Sequence, residues 1–159
     1  MFVHTWLRFR GAVFLTLMAA LITVPVVAEE ANFAGLTLEP GFSSSAGKVR
    51  GHTGGSYSLS AITNSDRNKN RCLGFGDTTP DHIMVLGKGF SKLTLQVDSQ
   101  GYDTTLLVQG PDGVRCGDDT GTNKDASVTD SNWQAGTYRI WVGAFEPGVS
   151  KKYKLSASE

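Results

Sequence analysis

The sequence predicts an all-β protein, an antiparallel sandwich or barrel, and three observations carry that reading. The chain of 159 residues holds 19 glycines, and its ten Asp outnumber its five Glu. Gly, Asp, Ser and Thr suit turns and strands and are poor in helix interiors. Short apolar runs alternate with period two, and turn signals separate them about every ten residues. No stretch carries a helical period. A helical bundle is therefore excluded, as are a Rossmann fold and a TIM barrel, which need strand–helix alternation.

Residues 1–28 are expected to be an export signal. His4, Arg8 and Arg10 precede an apolar run from Gly11 to Val27, and Val26 and Ala28 are the small side chains a signal peptidase requires. The run is short for a membrane span, so no membrane association is expected after cleavage, and the mature chain is expected to begin at Glu29. All 15 acidic residues but only 13 of the 15 basic ones follow Ala28, leaving a charge of about −2. Nucleic acid is not an expected partner, since its binders carry a basic excess.

Residues 29–80 read as an extension of weak strands and loops, and residues 81–159 as the sandwich core, one domain together with part of the extension. Leu36–Leu38 alternates briefly, Gly41–Gly47 reads as a loop, and Ser56–Thr63 as a weak strand. Asn64–Arg71 is wholly polar and must be solvated. Strands follow at Asp81–Gly87, Ser91–Asp98 and Asp103–Gln109. Gly110-Pro-Asp-Gly113 is a turn, because Pro presets φ and Gly tolerates positive φ, and Val114–Cys116 returns antiparallel. Gly117 opens an Asp-rich loop running to Asp130. Gly136–Phe145 is the most regular strand, and Lys152–Ala157 closes the fold.

Cys72 and Cys116 are the two cysteines. In an exported chain without Cys-x-x-Cys or a histidine at ligand spacing, they are expected to pair as a disulfide. His52 and His82 are the histidines after Ala28, His52 expected in a flexible loop and His82 at a strand edge. With no Gly-x-Ser-x-Gly elbow, catalysis is not expected. Calcium is the better chemistry. Asp118, Asp119, Asn123, Asp125 and Asp130 crowd one loop, with Asp103 and Asp112 nearby, and hard oxygen ligands on a pliable loop suit Ca²⁺. The loop is not an EF-hand, since Lys124 stands where Gly is required. The alternative is a solvated loop whose Asp side chains cap their own backbone. Counted from the Gly110–Gly113 turn, Asp103 and Asp118 or Asp119 lie at similar distances along one hairpin and are expected to converge, with an ion, Lys124 or backbone N–H groups neutralising them. Trp141 and Arg139 lie on the outward face of their strand and suit protein or sugar contacts. Alternatively, Trp141 is covered by a loop or N-terminal segment. Trp133 reads as a loop anchor over the core edge.

Asp103-Thr-Thr-Leu-Leu-Val-Gln-Gly-Pro-Asp-Gly113, Asp118-Asp119, Ala135-Gly-Thr-Tyr-Arg-Ile-Trp-Val-Gly143 and Tyr153-Lys-Leu-Ser156 together resemble the bacterial pre-peptidase C-terminal domain. The resemblance covers about half the chain, from Asp81 to Ser158, and implies a jelly-roll-like β-sandwich that usually trails a secreted peptidase. It also implies calcium in some relatives, and collagen or polysaccharide binding in others. No peptidase sequence precedes the pattern here. The expectation is a secreted or periplasmic, non-catalytic binding or accessory module, standing alone and calcium-stabilised. Its expected partners are an extracellular protein or polysaccharide, or a separately encoded peptidase. The alternatives are a small secreted hydrolase or peptidase-associated component, and a structural envelope protein.

Overall fold

The computed structural model describes Met1 and residues 29–159; apart from Met1, the expected signal at 1–28 lies outside the described residues. Eleven strands follow in order: β1 (Leu36–Leu38), β2 (Lys48–His52), β3 (Tyr57–Ser58), β4 (Phe75–Gly76), β5 (His82–Leu86), β6 (Phe90–Asp98), β7 (Thr104–Gly110), β8 (Gly113–Gly117), β9 (Ser127–Trp133), β10 (Gly136–Ala144) and β11 (Lys152–Ser158), with one 3₁₀ turn at Leu59–Ala61. They form two sheets, so the fold is the expected β-sandwich. In the first, β10 is central: β5 and then β1 lie on one side, with β4 and β3 continuing that edge, and β7 and β8 lie on the other. The second runs β2-β11-β6-β9. The pairings are antiparallel except β1 with β5, which is parallel.

Period-two alternation makes the core. Leu106 and Val108 of β7 and Tyr138, Ile140 and Val142 of β10 face Leu93, Leu95 and Val97 of β6 and Leu155 of β11, all buried. At about 25 cal/mol per Å² of apolar surface removed from water, burial of this kind is the main favourable contribution to the fold. A second cluster lies on the other side of the first sheet. Leu59, Cys72, Leu107, Cys116 and Trp141 pack beneath residues 59–72, with Ile62 and Val114 against them. The Cys72–Cys116 disulfide pins that cover to β8, as expected.

Residues 29–80 contribute strands to both sheets, β1 beside β5 and β2 beside β11. The structure corrects several local readings. Ser56–Thr63 is not a strand beyond Tyr57–Ser58, because the chain turns at Leu59 to bring that side chain onto the second cluster. The Asp-rich loop ends sooner than expected: residues 127–133 form β9, and Trp133 is a buried strand residue. His52 closes β2, paired with Lys152, and is not in a flexible loop. His82 is fully buried, and is not a strand-edge side chain.

Candidate functional site

The β7–β8 hairpin positions the acidic site. Gly110 and Gly113 pair at its turn, Gly113 at φ 113°, a backbone geometry that favours glycine. At the other end Gly117 lies opposite Leu106, so Asp118 and Asp119 run out beside Asp103 at the foot of β7. Gly117 permits this path. A Cβ there would meet the Ser127 carbonyl oxygen at 1.9 Å, so only glycine lets the end of β8 pass the start of β9. One carboxylate oxygen from each of Asp103, Asp118 and Asp119 lies within 4.8 Å of the others, as the hairpin count requires.

Like charges this close raise one another's pKa. Burial, and then the neighbouring Asp119 and Asp103 carboxylates, push the Asp118 carboxyl up. Lys124 Nζ, 2.7 Å from Asp103 Oδ2, offsets part of the charge at an exposed position. It does not reach Asp118, whose Oδ1 is buried without a hydrogen-bond partner. Among the described residues two other buried side-chain atoms share that condition, Thr105 Oγ1 and Trp141 Nε1. Three carboxylates supply up to six oxygens, and the orphaned Oδ1 is a lone pair that a hard cation would satisfy. The donor set fits Ca²⁺, with water or backbone carbonyls completing its six to eight ligands.

The remaining expected ligands do other work. Asp125 is 4% exposed, and its carboxylate accepts hydrogen bonds from Ser99 N at 2.8 Å, Gly101 N at 3.3 Å, Asn123 Nδ2 at 3.1 Å and the Ser99 hydroxyl. It ties the β6–β7 loop to the acidic loop. Asn123 Oδ1 accepts the Asp125 N–H, a side-chain cap on the loop's own backbone. Asp130 faces inward on β9 opposite Leu93 and binds Arg115 Nε at 2.8 Å, away from the trio. Trp141 is 4% exposed beneath the 59–72 segment, so no face of it is open to a ligand; the covered alternative holds. Arg139 is exposed and ion-pairs with Glu29.

Sequence reasoning missed the charged cluster next to this site. Arg115 is 1% exposed and inward-facing on β8. It forks onto Asp112 through Nη1 at 2.9 Å and Nη2 at 2.7 Å, and lies 3.8 Å above the Trp133 ring. Burial disfavours the Asp112 carboxylate, but the Arg115 guanidinium outweighs it and holds Asp112 at about 2. Tyr138 Oη lies 3.1 Å from the same carboxylate, and burial first, then Asp112, pushes the phenol up to about 12. A polar cleft of about 390 Å³ runs past this cluster from Asp118 to Asp66.

The second buried polar cluster holds the segment before β1. Asp81 accepts the Val142 N–H at 2.8 Å, and burial pushes its carboxyl up to about 6. His82 Nδ1 donates to the Ala34 carbonyl at 2.7 Å, and Nε2 accepts from the Tyr153 hydroxyl at 2.9 Å. Burial lowers the imidazole pKa.

Among solved structures the chain is similar to the pre-peptidase C-terminal domain of collagenase from Bacillus anthracis, with 15% identity and a TM-score of 0.43, over 84% of this chain and 100% of that one. No family model and no curated protein matches.

Proposed function

We propose that the protein is an exported, non-catalytic binding or accessory module whose Asp103, Asp118 and Asp119 hold a calcium ion. The observation that carries the calcium reading is the convergence of three carboxylates around a buried, unpartnered Asp118 Oδ1. Its role is to lock the foot of the β7–β8 hairpin to the acidic loop. A disulfide suits an oxidising compartment outside the cytoplasm, and the basic, apolar, small-residue sequence of 1–28 supports export. The non-catalytic reading draws support from His82, whose two ring nitrogens are already engaged. It is also supported by the resemblance of the strand motifs to an accessory domain.

Thermal melting with excess Ca²⁺ and with a chelator tests the metal. A ligand of the native state at one hundred times its Kd adds about 2.7 kcal/mol, so calcium is expected to raise Tm by several degrees. Asp119→Ala is expected to abolish that rise while leaving chelated stability unchanged or slightly higher, because a like charge is removed. An identical Tm in calcium and chelator would refute the site. Hydrolysis of casein or ester substrates that is lost in His52→Ala would refute the non-catalytic reading.

A further inference from the structure

The outer face of the second sheet carries a concentration of positive charge that neither the core nor the acidic trio uses. Val49, Tyr153 and Leu155 point into the core, so alternation places Lys48, Arg50 and His52 of β2 and Lys152 and Lys154 of β11 on the outside. Register then sets Lys154 opposite Arg50 and Lys152 opposite His52. The one carboxylate on this corner of the face is Asp98 of β6, opposite Lys154 and 2.7 Å from its Nζ. Four permanent cations thus stand against one acid, in a chain whose residues after Ala28 carry about −2.

Directly opposed like charges destabilise a strand pair. Arg50 against Lys154 is such a pair, offset on the Lys154 side by Asp98 and left without a carboxylate on the Arg50 side. A shallow depression of about 270 Å³ opens among Arg50, Asp98, Gln100, Lys152, Tyr153 and Lys154. The face continues from this corner as hydroxyl and amide groups: Ser156, Gln96, Thr94 and Thr129 lie in register across β11, β6 and β9. His52 is the one ring on that face in these strands, set edge-on against Phe33, and no aliphatic side chain shares the face, so it offers nothing to insert into a bilayer.

We propose that this face binds a linear anionic polysaccharide. Its acid groups lie along Lys48, Arg50, Lys152 and Lys154, and its hydroxyls hydrogen-bond the Ser/Thr rows. Charge complementarity selects the anion, and the adjoining hydroxyl surface selects a sugar polymer over a lipid or peptide. The proposal rests on the binding-module reading and gives it a ligand class, at a surface separate from the acidic trio.

Affinity electrophoresis of the protein through gels containing sodium alginate, in calcium-free buffer, tests it. Retardation is expected at low ionic strength, fading as salt is raised, with no retardation by neutral dextran. The double variant Arg50→Ser with Lys154→Ser is expected to lose affinity by about tenfold or more. Its Tm should change little, since the Lys154–Asp98 pair it also removes is exposed, which separates lost binding from unfolding. Arg71→Ser, on the other sheet's cover, should bind as the parent does, and so should Asp119→Ala. Absence of retardation would overturn the proposal, as would equal retardation of the double variant. Tighter binding to phosphatidylglycerol vesicles or duplex DNA than to alginate would overturn the polysaccharide assignment. Alginate depolymerisation would instead refute the non-catalytic reading while leaving the binding face in place.

Discussion

Replacing Arg115 by Met keeps an unbranched side chain at that buried position and removes the guanidinium that lies over Trp133 and closes one side of the sandwich. The lost interactions are Nε to Asp130 at 2.8 Å and the two-pronged contact with Asp112 at 2.9 and 2.7 Å. Both carboxylates stay largely covered, with side-chain exposures of 4% for Asp112 and 14% for Asp130. Breaking a buried ion pair by deleting one partner costs about 3–5 kcal/mol, because the other charge is left uncompensated. Arg67 remains within 3.1 Å of Asp112 and 3.9 Å of Asp130, which places the expected loss at the lower end, about 3 kcal/mol. At roughly 3–4 °C per kcal/mol for a domain of this size, Tm should fall by about 10 °C. The effect must also depend on pH. Asp112 is held at about 2, below its ordinary 3.8, so its contribution is full above 3.8 and is lost as pH falls through 2. Denaturant unfolding of both proteins should therefore show a wide gap at pH 7 that narrows between pH 4 and pH 2. A gap below about 1 kcal/mol at pH 7, or one independent of pH, would refute the ion-pair account.

Other outcomes follow from the same geometry. Cys72→Ser should cost about 4 kcal/mol by the chain-entropy model for a separation of 44 residues, an upper figure since strain and residual structure reduce it. It should also expose Trp141 to solvent quenching; unaltered fluorescence and stability would contradict the pinned cover. Asp81→Asn should stabilise the protein above pH 6 and have little effect near pH 4. A carboxyl whose folded pKa is raised to about 6 contributes most below 3.8 and loses that contribution as pH rises through 6. Melting curves at the two pH values would decide it, and destabilisation at pH 7.5 would count against a buried charge. N-terminal sequencing of exported protein should begin at Glu29; an intact Met1 terminus would remove the cleavage site.

The aliphatic strands were legible because their apolar positions alternate without interruption: β6 through Leu93, Leu95 and Val97, and β10 through Tyr138, Ile140 and Val142. β9 was not, because its inward position opposite Leu93 is Asp130, and a carboxylate there makes the segment read as loop. The position is tenable only because Arg115, from a strand of the other sheet, supplies the countercharge. β2 was hidden similarly, with Val49 as its one buried apolar residue. The acidic trio was legible because a tight turn makes equal counts on either arm spatial neighbours. Asp125, Asp130 and Asn123 share its composition but not its place, and composition carries no register. The basic face had a readable signal, the period-two recurrence of Lys48-x-Arg50-x-His52 and Lys152-x-Lys154, but its meaning depends on the two strands being adjacent.

That adjacency joins residues about one hundred positions apart, since Lys48 lies opposite Ser156. β11 is an interior strand of its sheet, flanked by β2 and β6. Until residue 158 has been synthesised, the second sheet has no middle and β2 has no neighbour to pair with. A topology dominated by such distant pairings closes slowly, because loop-closure entropy is lost before contacts repay it. Hairpins such as β7–β8 can form earlier, but the second sheet cannot be completed on a growing chain, and β2 waits unpaired until the last strand is made.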